Sequence, residues 1–188
     1  SRTRKLVVIG MLGGISIFLG LTPLGIIHLP VMNLTIMHIP VIIGAILEGP
    51  LVGGAIGLIF GLFSMYQNIT APNLTSFIFM NPIIALLPRI LIGIVTYYMY
   101  TFIKNKINNK SISIGVASIA GTLTNTIGVL GLTYILYLDR YAAAKQISTD
   151  MVAGALLTVV GTNGVAEAIA SAVIAIPVVT AISKIRKF

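Results

Sequence analysis

Arg89 sits in an apolar run, residues 83–102, long enough to cross a bilayer, and no other lysine or arginine lies between Lys5 and Lys104. A cation at the centre of a membrane helix costs about 2.5–3.5 kcal/mol on insertion scales. A chain that keeps one there needs an anion for it, either a protein carboxylate or an acidic ligand. Glu167 is the carboxylate that the apolar segments offer. Two chemistries follow: an Arg89–Glu167 pair that staples helices, or a guanidinium that holds an acidic group brought from outside.

Amides and hydroxyls accompany these two charges. Asn163 precedes Glu167 by four residues and so shares its helix face. Asn125, flanked by Thr124 and Thr126, falls in the middle of another apolar segment, and Asn81 comes just before the segment of Arg89. His38 opens a short apolar run beside Pro40. Fixed polar groups converging in an apolar pocket are what a small polar ligand requires. Each also has a structural use. Asn125 and Thr124 can bridge helices at about 0.6 kcal/mol per contact, and His38 can serve as a helix-end residue.

Other chemistries lack their residues. There is no cysteine, hence no disulfide, thiol nucleophile or thiolate metal site. No phosphate-cradling Gly-x-x-x-x-Gly-Lys-Ser/Thr loop, His-Glu-x-x-His metal site or Gly-x-Ser-x-Gly elbow occurs. The two histidines have no carboxylate near them in sequence, so no metal is expected, and an enzyme is the least favoured class.

The elements that must position these groups are membrane helices. Hydrophobic residues make up 57% of the 188 and charged residues only 9%, where a soluble domain carries about 25% charged. Mean hydropathy is +1.05. At about 20 residues per span the length allows six spans in a single domain, residues 1–188. The pattern predicts spans at 6–21, 38–47, 51–66, 82 or 88–103, 111–138 and 153–182. The basic start lacks a cleavage site and polar sequel, so the first apolar run is read as a span.

Arg2, Arg4 and Lys5, then Lys104, Lys106 and Lys110, then Lys184, Arg186 and Lys187 cluster at segment ends. Six spans place all three clusters on one side, which the positive-inside rule makes cytoplasmic, with both termini there. The net charge of +8 is thus a topology signal and not one for nucleic acid. By the same topology Arg89, Asn163 and Glu167 fall in the outer half of the bundle. Tyr97, Tyr98 and Tyr100 fall near the inner end of span four as interfacial anchors. Gly53, Gly57 and Gly61 form a small-residue row for close helix packing, and Gly10 and Gly14 offer a second row in the first span.

Local sequences add a resemblance. The run from His38-Ile-Pro-Val to Glu48-Gly-Pro-Leu-Val-Gly-Gly, then Pro88-Arg-Ile-Leu-Ile-Gly93, Gly121-Thr-Leu-Thr-Asn-Thr126 and Thr162-Asn-Gly-Val-Ala-Glu167 resemble the substrate-binding S components of energy-coupling-factor vitamin transporters. Within that family they look most like the pantothenate branch. Branches for pyridoxine, hydroxymethylpyrimidine, riboflavin and folate are the alternatives, with a self-sufficient secondary transporter or a structural membrane protein behind them. The resemblance implies an all-α bundle of six transmembrane helices in the cell membrane that binds a vitamin near its outer face. It also implies a transmembrane coupling subunit and two cytoplasmic ATPases, which use the ATP, so that this chain binds no cofactor of its own. Arg89 would hold the pantothenate carboxylate, and Asn81, Asn125, Asn163, Thr124, Glu167 and His38 would complete the site. Residues 22–37 would gate it, and Gly10 and Gly14 would dock the coupling subunit.

Overall fold

A computed structural model describes residues 1–28 and 33–186. The tip of the expected gate, residues 29–32, and Lys187 of the third basic cluster lie outside the described residues. Helix α1 (Arg2–Leu21) leads into a short antiparallel hairpin, β1 (Ile26–His28) with β2 (Asn33–Thr35), in which Ile27 faces Leu34. Then follow α2 (Ile39–Glu48), α3 (Pro50–Thr70), the short α4 (Ser76–Met80), α5 (Pro82–Ile107), α6 (Lys110–Lys145) and α7 (Thr149–Val159). A π-helical turn (Val160–Gly164) joins α7 to α8 (Val165–Ile185).

Prolines at first-turn positions open α2, α3 and α5, where the missing N–H has no intrahelical partner to lose. Gly49, at φ 100°, makes the reversal between α2 and α3 in a conformation that other residues avoid. Among the described residues, five helical stretches are long and apolar enough to cross a membrane: α1, α3, α5, α6, and α7 through α8.

α2 differs. Its 10 residues rise only about 15 Å against a hydrocarbon core of about 30 Å. Apolar all round, it has no face to show to water, and residues 39–46 are all buried among α1, α3, α5, α6 and α8. Its first end meets α6 near that helix's middle, at Thr122. Its other end, Glu48, receives Arg4 from the start of α1 (2.9 Å) and Arg186 from the end of α8 (2.6 Å). Burial alone would push that carboxyl up, but the two arginines outweigh it and hold the group below its ordinary range. The basic ends of α1 and α8 therefore meet, and residues 33–37 descend into the bundle to reach α2.

Several boundaries differ from expectation: α3 runs on to Thr70, α4 lies in residues 67–81 that were expected as a loop, and α5 runs on to Ile107 past the expected end at 103. Residues 139–145, expected in an outer loop, continue α6 past a kink at Tyr137. Arg140-Tyr-Ala-Ala-Ala-Lys145 contains no breaker and good helix formers, so the helix runs on until Gln146 turns left-handed. The final span is broken by the π turn at Val160–Gly164.

The core has two parts. A large cluster around Ile42, Ile56, Ile92, Ile114 and Val179 fills the basic half of the bundle. A smaller one joins Phe77 and Ile78 of α4 to Val129, Tyr141 and Leu156 at the opposite end. Between α3 and α5 the glycine row works as expected. A Cβ at Gly53 would strike Gly93, and one at Gly57 would strike the carbonyl of Arg89. Gly10 and Gly14 have nothing within 4 Å of such a Cβ and lie on an open face of α1.

Candidate ligand site

Arg89 occupies the third turn of α5, one residue after Pro88. A proline inside a helix has no N–H and leaves the carbonyl four residues earlier unpaired. Here that carbonyl is Ile84's, and the Arg89 side chain turns back along the helix so that Nη1 donates to it at 3.0 Å. The guanidinium lies against two aromatic faces, 5.3 Å from the Phe60 ring centre on α3 and 4.9 Å from Phe79 on α4. Close packing of Gly57 on the Arg89 backbone brings α3 near enough to supply Phe60. Arg89 is only 4% exposed, and its Nε has no hydrogen-bond partner.

The ion pair with Glu167, one of the two alternatives that the sequence left open, does not form. No carboxylate among the described residues lies within ion-pair distance of Arg89. Glu167 is engaged elsewhere: its Oε1 accepts from the backbone N–H of Thr35 (2.9 Å) and from the Thr35 hydroxyl (3.0 Å). Both bonds are charge-assisted and tie the carboxylate to the hairpin. The helix-stapling role for Arg89 with Glu167 is therefore excluded in this conformation.

The amides divide. Asn81 caps α5, accepting from Ile83 N at 2.9 Å while its Nδ2 donates to the Tyr137 hydroxyl at 3.0 Å. Thr124 donates to the Ala120 carbonyl of its own helix (2.7 Å). Asn125 is different: its Oδ1 is buried without a partner. It lies on the α6 stripe between Gly121, which abuts Thr96, and Gly128, which abuts Pro88, so it faces α5. Asn163, half-buried in the π turn, accepts from Thr162 at 3.2 Å. Such turns widen a helix locally and recur at functional sites.

His38 is fully buried and joins a network that its sequence position does not reveal. Its Nε2 is 3.0 Å from the Thr122 hydroxyl, which is 2.9 Å from the Ser171 hydroxyl. Three elements, α2, α6 and α8, are thus tied at mid-depth. Ser171 is one turn along α8 from Glu167, so the network lies just below the Thr35 latch. The start of α2 has no N–H to spare for an anion. Ile39 N donates to Ile36, Pro40 has none, and Val41 N donates to His38. Recognition at this depth falls to side chains.

Phe60, Phe79, Thr35, Thr122 and Ser171 were not singled out by the sequence. Ser171 had a signal in its spacing of four from Glu167, and Thr122 in its place beside Asn125. Two apolar grooves formed by described residues, one between α6 and α7 and one between α3 and α5, hold none of these groups.

A family model described as the substrate-specific component of ECF transporters matches residues 4–179. The pantothenic acid transporter PanT of Lactococcus lactis subsp. cremoris is 33% identical over 145 residues, covering 70% of this chain and 68% of that protein. The pantothenate transporter PanT of Leuconostoc mesenteroides subsp. mesenteroides is 29% identical over 117 residues, covering 61% and 57%. With its apolar helices and its polar groups gathered inside them, the chain belongs to the substrate-specific components of ECF transporters, a family of multi-pass membrane proteins.

Proposed function

We propose that this chain binds pantothenate at the outer end of the bundle and delivers it across the membrane as the substrate-specific subunit of an ATP-driven complex. The observation that carries this reading is the state of Arg89: buried, cationic, and without a carboxylate among the described residues. With Nη1 given to Ile84, the Nε edge is the one left for a ligand carboxylate, and such an edge donates to two oxygens side by side. Phe60 and Phe79 hold the guanidinium in place while that edge is used. Pantothenate is a carboxylate with an amide and two hydroxyls, so Asn125 Oδ1 has donors to receive. The names of the two relatives point the same way.

In this reading Asn163 and Thr124 line the site beside Arg89 and Asn125. Asn81 and His38 act as supports, one capping α5 and one fixing α2. The hairpin closes the site through Thr35 and Glu167. The topology is six membrane segments, with α2 reaching only part way, and the joined ends of α1 and α8 face the cytoplasm. A coupling subunit docks on the open face of α1 at Gly10 and Gly14, and two ATPases supply the energy. The chain itself carries no cofactor.

Titration calorimetry of the purified protein with pantothenate tests this directly, with riboflavin, pyridoxine, hydroxymethylpyrimidine and folate as comparators. Tight one-to-one binding of pantothenate alone is expected. Binding of a different vitamin in its place would redirect the assignment.

A further inference from the structure

Arg140 is a cation that the ligand site does not use. The turns of α6 beyond the kink at Tyr137 pack on α4, where Tyr141 and Ala142 share the smaller core with Phe77 and Ile78. This sets the Arg140 guanidinium 4.4 Å from the Phe77 ring centre. Phe79, two residues further along α4, has the Arg89 guanidinium 4.9 Å from its own ring centre. At 3.6 residues per turn, side chains two apart leave a helix in nearly opposite directions. One helix of 5 residues thus carries a guanidinium on each of two rings. A second tie joins the same elements: Asn81, the cap of α5, donates to the Tyr137 hydroxyl at 3.0 Å, so the kink of α6 abuts the start of the helix that bears Arg89. Arg140 is exposed where Arg89 is buried, and no carboxylate among the described residues lies within ion-pair distance of it.

We propose that Arg140 is the first contact of the incoming anionic solute, which passes from it around α4 to Arg89. The inference rests on the proposed binding of a carboxylate vitamin at Arg89, and it adds a residue that sets the rate of arrival. Charges near this end of α6 show why one is needed. Asp139 and Asp150 are both exposed and repel an anion. Lys145 lies more than a turn beyond Arg140, its ammonium 6.0 Å from the Tyr141 ring centre rather than on a ring of α4. Arg140 is therefore the exposed cation that shares a helix with the buried one. Stacking on Phe77 uses a face of its guanidinium and leaves the N–H edges for a carboxylate. A charge at a rim acts on the association rate and its salt dependence more than on residence.

Stopped-flow on the full chain in non-ionic micelles reads association and release of pantothenate and of its uncharged alcohol, pantothenol. At about 10 mM salt, where screening is weak, Arg140→Gln is expected to slow pantothenate association about two- to threefold, the effect of one unit charge at about 7–10 Å in water. Release is expected to be unchanged. The two association rates should converge at about 1 M salt, where the screening length falls to about 3 Å. Pantothenol should associate alike with both proteins. Arg140→Lys keeps the charge and is expected to retain the wild-type rate. Equal association of pantothenate with Arg140→Gln and wild type at low salt overturns the proposal. So does a loss that pantothenol shares, that appears in release, or that persists in Arg140→Lys, because a residue that only braces α4 would give those. Absence of pantothenate binding to wild type sinks the vitamin assignment and this inference with it. Binding at a rate indifferent to the charge of residue 140 sinks only the part given to Arg140.

Discussion

Replacing Arg89 with methionine separates the cost of the cation from its use. The side chain keeps an unbranched apolar stem and loses the charged guanidinium end. In the empty protein the losses are the Nη1 bond to Ile84 and the two aromatic contacts, worth about 1–3 kcal/mol and about 2 kcal/mol respectively. The gain is relief from burying a guanidinium that no carboxylate neutralises, an effective penalty of several kcal/mol. These contributions oppose one another at similar size, so the thermal midpoint of the unliganded protein is expected to shift little.

Ligand binding has no such offset. Truncating one partner of a desolvated charge pair costs about 2–5 kcal/mol, which is about 30-fold to several thousand-fold in Kd. The assay is calorimetry on wild type and Arg89→Met with pantothenate and with pantothenol, in which an alcohol replaces the carboxylate. Wild type is expected to prefer pantothenate strongly, and the variant to bind both about equally weakly. The coupling energy from this cycle isolates the guanidinium–carboxylate contact from changes in pocket shape. A loss under about fivefold for pantothenate, or an equal loss for both ligands, would refute the role given to Arg89.

Three further outcomes follow from the same geometry. Thr35→Val removes the hydroxyl bond to Glu167 but leaves the backbone one; hydrogen bonds to a charged group are worth about 1.5–3 kcal/mol, so stopped-flow should show faster vitamin release, by about tenfold or more. Thr122→Val leaves His38 Nε2 and the Ser171 hydroxyl without their shared partner; denaturant titration in micelles should show a loss of about 1–3 kcal/mol, and Thr122→Ser should recover most of it. Gly57→Ala drives a methyl into the Arg89 carbonyl; overpacking of this kind costs about 1–3 kcal/mol, and because α3 also supplies Phe60, vitamin affinity should fall with stability.

What was legible in the sequence depended on how local the cause was. Arg89 stood out because depth and charge alone make it expensive. The glycine row of α3 was legible because its spacing of four carries the packing with it. The partner of Glu167 was not, because it is set by the path of a hairpin 132 residues away in the chain. Phe79 was hidden for a related reason: residues 67–81 read as a polar loop, and the short α4 that presents Phe79 is held from outside by the smaller core. His38 was expected at a helix end, and it stands at the N-cap position of α2, where its side chain makes no capping bond. Its burial against Thr122 follows from α2 being a half-length helix at the centre of the bundle, which the short apolar run foreshadowed in length but not in location.

The adjacency of Pro88 and Arg89 explains how an unneutralised cation survives where it is. In a regular helix each carbonyl already accepts from the N–H four residues on, so a side chain shares it, as Thr124 shares that of Ala120. The proline releases one, and the arginine next to it is in reach. One of the two hydrogen-bonding edges of the guanidinium is thereby partly satisfied, and the aromatic faces of Phe60 and Phe79 soften the remaining charge. A protein carboxylate at the same spot would have completed the job and left nothing for a ligand. A carbonyl dipole and two rings do less, so the folded state tolerates Arg89 without consuming it. The carboxylate of Glu167 is meanwhile held by Thr35, so it makes no ion pair with the cation.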